Sequence, residues 1–563
     1  MSLEGYIPHA PGDVELYLKK GWWSGLAMGD MLDRTCDLYA DKEGLVDRER
    51  RYTYGRVRTL ADNLAHGLLG QGLEAGDRVL LQLPNWAEFV ISYFALQKAG
   101  LVMVLLTLNH SPREILHLAE LTQPRGWILP AAYRDNDFTA IMKSVRSQNP
   151  GLDVILTAGA PPPAGCLDLN HLMMMDVPND ILNKTLADAR PDPAAVCQIL
   201  PSGGTTGLPK GAARTHNDYY CNVEYVSKAW ELNPGDNCLV ASTVGHNLAL
   251  LVTVCGAVFQ GAKLVMLDSS RPEDFCRLVQ QEKITATGLA PTLISRVIKY
   301  EGLRDFDLSS LRRIYVGAAN SPPDLVRQVE EKTGGVYVNA FGMVEGPCAQ
   351  SRPYHSFAVR TETIGLPTCP YDDLATLDIF GARTPRGVEG ELAAKGPCIF
   401  SGYFKNPRAN QSAFTPDGYF RTGDLAVIDP EGRIRITGRI KDIIIRGGEN
   451  ISARDVEDLL STHPQVEYVS AIGIPDADLG ETVCVFIKPA PGGGRPDREE
   501  IIAHMRNLGA AKALIPTRVE FLDEIPLTAA GKADKRVLKT IIENKMHQEA
   551  DRPAAVGQTM KRR

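Results

Sequence analysis

An alternation of helix-like and strand-like segments restricts what this chain can fold into more than any single motif does. Residues 52–70 (YTYGRVRTLADNLAHGLLG) place Val57, Leu60, Leu64 and Leu68 on one helical face and end in glycine. A Gly-Asp turn then leads into the apolar run 79–83, read as a buried strand. A helix to about Ala99 and a strand over 101–106 follow. The rhythm returns between 195 and 320, with strands expected near 238–242, 263–267 and 313–317. Strand–helix–strand connections favour parallel sheets, so the pattern predicts an α/β fold. A chain of 563 residues is too long for one hydrophobic core, and two to four domains or subdomains are expected. Residues 375–440 are richer in β-signals. After about 440, short strands (468–473, 483–488) mix with helices (453–461, 498–508), as in a small α+β domain. The polar stretch 547–563 reads as a disordered tail.

Inside this framework lies SGGTTGLPKG, residues 202–211, directly after the apolar run 195–200. Glycines let backbone N–H groups approach an anion, hydroxyls add donors and a lysine adds charge, so the loop suits phosphates. It is not a GxxxxGK[ST] loop, because Gly207 is followed by Leu-Pro-Lys. A net charge of −7 argues against a nucleic-acid-binding surface. Eleven cysteines without a CxxC pair argue against a zinc site and against a disulfide framework. The N-terminus lacks a basic-then-apolar signal pattern. The longest apolar run, 248–259, is shorter than the ~20 residues a spanning helix needs and reads as a core helix. A soluble cytoplasmic enzyme with no membrane partner is expected.

Four further segments carry chemistry. Phe341-Gly342-Met343-Val344-Glu345-Gly346 sets one acid between glycines after a short strand. Arg421-Thr422-Gly423-Asp424 reads as a tight turn holding an aspartate. Gly438-Arg439-Ile440-Lys441-Asp442 precedes the strand 443–445 and the turn Arg446-Gly447-Gly448-Glu449. Pro526-Leu527-Thr528-Ala529-Ala530-Gly531-Lys532 presents a lone lysine on a loop.

In this order and spacing, the segments resemble the adenylate-forming superfamily. Within it the chain is most similar to stand-alone aryl-acid AMP ligases, the 2,3-dihydroxybenzoate and salicylate activators. The likeness runs from Lys20-Gly21-Trp22-Trp23 through Arg214-Thr215-His216-Asn217-Asp218-Tyr219 and the pair His246-Asn247 to Lys532. It implies an N-terminal adenylation core over 1–440, with αβαβα-type layers and a β-rich subdomain, and a small mobile α+β lid over 441–546. It also implies ATP and Mg²⁺, and a two-step reaction. A carboxylate attacks the α-phosphorus of ATP, releasing pyrophosphate; a thiol then displaces AMP to give a thioester.

The resemblance assigns roles. Ser202, Gly203, Gly204, Thr205, Thr206, Gly207 and Lys210 would hold the β- and γ-phosphates, and Glu345 would bind Mg²⁺. Asp424 would accept from both ribose hydroxyls, with Arg439 helping. Phe341 would stack on adenine over Gly317, Ala318 and Ala319, with Asn339, Gly342 and Ile436 completing the nucleotide site. Lys532 would contact the attacking carboxylate and the bridging oxygens where charge develops. Lys441 occupies the hinge position, from which the lid would turn between the two half-reactions.

The acid pocket is where the chain departs from the family. Asn247 is kept, and there this amide bonds the substituent ortho to the carboxylate; a 2-hydroxy or 2-amino aryl acid is expected. His246 is expected at the pocket wall, as a gate or in packing. Five residues beyond Asn247 stands Val252, where dihydroxybenzoate enzymes carry serine; a buried 3-hydroxyl would lack a partner there. That favours salicylate or anthranilate over 2,3-dihydroxybenzoate. Leu248 replaces a frequent tyrosine, and Ala340 and Cys348 replace frequent valines, with room for a substituted or bicyclic ring. The expected acceptor is the phosphopantetheine arm of a separate aryl carrier protein, in siderophore or other nonribosomal peptide synthesis. CoA or an amine is the alternative. A non-catalytic nucleotide-binding protein is disfavoured by the joint presence of Glu345, Asp424, Arg439 and Lys532.

Overall fold

The computed structural model describes residues 3–134, 138–202, 208–317, 321–446, 449–476, 479–492, 494–528 and 532–550. The chain divides into two compact units, residues 1–422 with 426–436, and residues 423–425 with 437–563.

Two large sheets organise the first unit. A seven-stranded sheet runs, edge to edge, Leu167–Asp168, Val154–Ala158, Gly126–Pro130, Arg78–Leu81, Val102–Leu105, Val196–Ser202 and Lys210–Thr215. Its neighbours are parallel except the last pair. A nine-stranded sheet has a parallel centre, with Val336–Gly342 followed outward by the antiparallel strand Cys348–Gln350. Alternate side chains along each strand sort into layers. Val79 and Leu81 point into the same core as Cys238, Val240 and Leu264 of the second sheet, with the helices Tyr54–Gly70 and Ala87–Lys98 between. Leu80, Val102 and Trp127 face the opposite way, under the helices Pro112–Thr122 and Phe138–Gln148. Leu239, Val265 and Ile314 pack beneath a third helical layer. Helix, sheet, helix, sheet, helix is the expected αβαβα order. The β-rich stretch forms a four-stranded sheet of Asp373–Leu377, Gly390–Lys395, Phe420–Ile428 and Ile434–Arg439.

In the second unit, a five-stranded sheet centres on Gly480–Pro489. One face packs on Ala453–Ser461 and Arg498–Asn507, the other on the last helix, Lys535–Ala550. Among the described residues, no helix is long and apolar enough to cross a membrane.

Three local expectations change. Asp424 sits within the strand Phe420–Ile428, not in a turn; the glycine before it has φ +75°, so a left-handed kink interrupts an extended strand. The apolar run from 248 begins as a π-helix, Leu248–Cys255, and becomes α-helical only at Gly256–Gln260. An unbroken apolar run carries no periodicity to distinguish the two windings. The final helix also takes in 547–550 of the expected tail.

Candidate active site

The strands Val196–Ser202 and Lys210–Thr215 pair so that Ser202 lies opposite Lys210. The glycine-rich segment thus connects two arms of a hairpin and brings its reactive ends side by side. Gly203, Gly204, Thr205, Thr206 and Gly207 fall outside the described residues. Glu345 is buried, and its Oε1 accepts hydrogen bonds from Ser202 Oγ (2.6 Å) and the Tyr403 hydroxyl (2.8 Å). Lys210 Nζ sits 3.7 Å from the centroid of the Tyr403 ring. A cation rests on the π face of a phenol whose O–H is committed to the carboxylate. Burial, then the Glu345 charge, push the Tyr403 phenol far above its ordinary range and keep it a donor. Sequence reasoning missed Tyr403. Its only local signal is an aromatic in the loop Gly402-Tyr403-Phe404-Lys405, which bridges to Ala212.

The backbone around Glu345 is fixed. Phe400 N–H donates to the Glu345 carbonyl at 2.9 Å. Gly346 has φ +118°, and a Cβ there would lie 2.0 Å from the Cys398 carbonyl oxygen, so no larger residue fits.

The strand Val336–Gly342 sorts the next candidates by parity. Ala340 pairs with Gln350 and Gly342 with Cys348, and opposed residues share a face. Ala340 and Cys348 join Val252 in the central core, with Leu248 against it. Asn339 and Phe341 take the other face, where Phe341 and Ile436 pack on the β-rich cluster. A Cβ on Gly317 would meet Ala340 O at 3.4 Å and Leu248 Cδ1 at 3.6 Å, which places Gly317 with the first group. Ala318 and Ala319 lie outside the described residues. Asn339 is buried, and its Nδ2 donates to Thr363 O at 3.0 Å, a scaffold bond. Gln350, also missed from sequence, is fully buried with neither side-chain polar atom partnered.

The π-helix brings Asn247 and Val252 closer together around its axis than an α-helix would. At ~4.4 residues per turn, positions five apart fall about 50° apart around the axis, against about 140° in an α-helix. Asn247 is the half-buried residue that opens this helix, and Val252 is buried within it. The buried Tyr219 hydroxyl donates to Asn247 Oδ1 at 2.8 Å. Burial holds the Tyr219 phenol far above its ordinary range, so it remains the donor. The Asn247 amide therefore keeps its Nδ2 donor side apart from the Tyr219 bond. His246, half-buried, stands two residues before this helix and accepts the Leu250 N–H through its carbonyl.

Asp424, Arg439 and Lys532 assemble within the second unit. Arg439 Nε donates to Asp424 Oδ1 at 2.7 Å. Burial raises the Asp424 carboxyl against the pull of Arg439 and Lys532. Burial lowers the Lys532 ammonium to about 8, aided by Arg439 and opposed by Asp424. Lys532 is therefore half-buried and electrostatically loaded, unlike a solvated loop tip. Lys441 is exposed in the single turn Ile440–Asp442, and the next residue, Asp442, pairs with Lys535. Gly447 and Gly448 fall outside the described residues.

Residues 32–404 match the AMP-binding enzyme family, and residues 455–532 match the AMP-binding enzyme C-terminal domain. A salicylyl-CoA synthase / salicylate adenylyltransferase from a Streptomyces species is 34% identical, over 97% of this chain and 99% of its own. The 2,3-dihydroxybenzoate-AMP ligase of Bacillus subtilis (strain 168) is 33% identical, over 97% and 99%. The apo structure of MbtA from Mycobacterium smegmatis superposes with a TM-score of 0.73 at 32% identity, covering 96% of this chain and all (100%) of that one. With the two halves of the family matched in order, the chain belongs to the AMP-binding enzymes, in their adenylate-forming aryl-acid ligase branch.

Proposed function

We propose that the protein activates a 2-hydroxy aryl carboxylic acid as its adenylate and passes the aryl group to a thiol. The observation that carries this reading is the joining of both ends of the glycine-rich hairpin to Glu345 through Ser202, Tyr403 and Lys210. Lys210, Ser202 and the loop between them hold the outgoing phosphates. The carboxylate oxygen attacks the α-phosphorus of ATP, the α–β phosphoanhydride bond breaks, and pyrophosphate leaves. Lys532 faces the charge that develops between carboxylate and phosphorus, a role in which one placed donor is worth roughly 3–4 kcal/mol. Asp424, oriented by Arg439, accepts from the ribose hydroxyls, and Phe341 stacks on the base. In the second step a thiolate attacks the acyl carbon and AMP leaves.

Glu345 also fits Mg²⁺. Its Oε1 takes both hydroxyl bonds, so Oε2 remains as a hard oxygen ligand beside the phosphate loop. Bound there, Mg²⁺ offsets phosphate charge.

The acid follows from Asn247. With its carbonyl held by Tyr219, its amide donates, and a phenolic oxygen accepts better than an aryl amine. Salicylate-type acids therefore rank above anthranilates. Val252 offers a 3-hydroxyl no partner, which ranks 2,3-dihydroxybenzoate lower. Pyrophosphate exchange across salicylate, anthranilate, 2,3-dihydroxybenzoate and benzoate tests this; benzoate matching salicylate overturns it. The acceptor is the phosphopantetheine thiol of an aryl carrier protein in siderophore or related nonribosomal assembly. CoA is the second reading, favoured by the Streptomyces relative's name. Lys441 is the pivot, just ahead of Asp442, which Lys535 anchors. Lys441→Pro should leave exchange within about 2-fold and slow thioester formation by about 30-fold or more; equal loss in both assays removes the hinge.

A further inference from the structure

Three cysteines that are scattered in the sequence meet behind Glu345. Cys221 lies on the helix His216–Ala229, Cys369 just after the strand Leu366–Pro367, and Cys398 just after Gly390–Lys395. All three are buried, at 2%, 0% and 0% exposure, and their sulfurs lie within 4.8 Å of one another. The Cys221 and Cys398 sulfurs are 3.5 Å apart though 177 residues separate them. Tyr17 and Trp23 wall the cluster, and Trp23 Nε1 donates to Pro397 O at 2.8 Å.

A second observation points to a ligand. Asp372, 6% exposed, accepts the Cys398 N–H through Oδ1 at 3.1 Å, while its buried Oδ2 has no partner. An unpaired buried carboxylate oxygen next to the Cys398 segment is costly as it stands and natural near a cation. The fully buried Arg214, paired with Asp218 at 2.6 Å, donates from Nη2 to Cys398 O at 2.8 Å.

We propose that Cys221, Cys369 and Cys398 form a structural zinc site whose fourth ligand is a water, with Asp372 nearby as the acceptor for that water. Three soft sulfurs select Zn²⁺ over Mg²⁺ or Ca²⁺. Tetrahedral zinc with Zn–S of about 2.3 Å sets its sulfurs about 3.8 Å apart, within the observed spacing. Binding replaces three S–H protons, which leave to solvent, by three Zn–S bonds, with no redox change.

The site braces the catalytic segment without touching substrate. The guanidinium that holds Cys398 O also donates from Nη1 to Val344 O at 2.8 Å, and the neighbour of Cys221, Asn222, donates to Gly346 O at 3.3 Å. Both acceptors flank Glu345. Zinc would tie three distant segments together at that point, apart from the nucleotide and acid groups.

The full-length protein, purified under reducing conditions after growth with added zinc, should hold about one zinc per chain by mass spectrometry. X-ray absorption at the zinc edge should give three sulfur neighbours at about 2.3 Å. Cobalt added to chelator-stripped protein should raise an intense near-ultraviolet sulfur-to-metal band. Cys369→Ser should cut retained zinc at least tenfold, while Cys276→Ser, a buried cysteine in another core, should keep it. Wild-type protein with only oxygen and nitrogen around zinc, no cobalt band, or a Cys221–Cys398 disulfide under native isolation would each overturn the site. Because the decisive readings use the wild type, a misfolded variant does not blur them.

Discussion

The phosphate side and the acid side of the site are built on opposite principles. At the ends of the glycine-rich hairpin, polar groups support one another: Ser202 and Tyr403 donate to Glu345, and Lys210 lies over the Tyr403 ring. On the proposed acid side, Asn247 is the one polar group, and Val252, Ala340 and Cys348 share a single apolar core. A network of mutually supporting polar groups tolerates little substitution, because removing any member leaves a buried neighbour unsatisfied. An apolar wall can change by a methyl group at modest cost. The contrast fits the expectation from sequence that departures from the family pattern fall on the second side. It also implies that damage on the phosphate side is blind to the identity of the acid, whereas damage on the acid side reorders acids.

The largest effect should come from Lys532→Ala. Pyrophosphate exchange is expected to fall by on the order of 100-fold or more, equally for every acid, with ATP affinity changed far less. A loss that differed between salicylate and benzoate would break the comparison. Next comes pH. The Lys532 ammonium is lowered to about 8, so it is charged below that pH and neutral above it. The kcat/KM for exchange should fall about 50-fold between pH 8 and 10 beyond any effect of substrate ionisation. The residual activity of Lys532→Ala should lack this limb. If the limb survives in the variant, another group titrates there.

The two sides also differ in how much the sequence discloses. Ser202, Lys210 and Glu345 are legible because glycines and isolated charges in fixed order have few structural explanations. The layered fold is legible for a similar reason: strand and helix periods are imposed on each segment separately. Tyr403 was not legible. It reaches Glu345 across 58 residues, and a lone tyrosine has no local pattern. Asp424 was misread because Gly-Asp ordinarily marks a turn, while here one left-handed glycine kinks a continuing strand. The π winding was hidden by an all-apolar run, although that winding sets Val252 near Asn247 around the axis. The cysteine cluster escaped because metal-binding motifs are recognised by short spacings, and this one is assembled only by the tertiary fold.

On the acid side the effects should be smaller and selective. Asn247→Ala removes one donor to the 2-hydroxyl and also strips the buried Tyr219 hydroxyl of its acceptor. The salicylate-to-benzoate ratio in exchange should drop by about 10-fold, the worth of one hydrogen bond at the upper end of its usual range. Benzoate should fall far less, since it loses no contact of its own and shares only the cost of the unpaired Tyr219 hydroxyl. An equal fall for both acids would mean that Asn247 holds the scaffold and does not read the substrate.

The smallest effect, and the sharpest test of the wall, is Val252→Ser. Val252 is 2% exposed, and its Cγ1 approaches the position a Cβ on Gly288 would take at 3.9 Å, so the substitution removes a methyl from a close-packed surface. Part of that loss is general and should lower exchange with every acid by a few fold. The added hydroxyl, however, gives a 3-hydroxyl its missing partner. The 2,3-dihydroxybenzoate-to-salicylate ratio should therefore rise by about 5-fold even as both rates decline, consistent with a net hydrogen bond of about 1 kcal/mol. An unchanged ratio would place the 3-position of the ring away from Val252. The ring would then sit deeper, towards Ala340 and Cys348, and the π-helix would set only the position of Asn247.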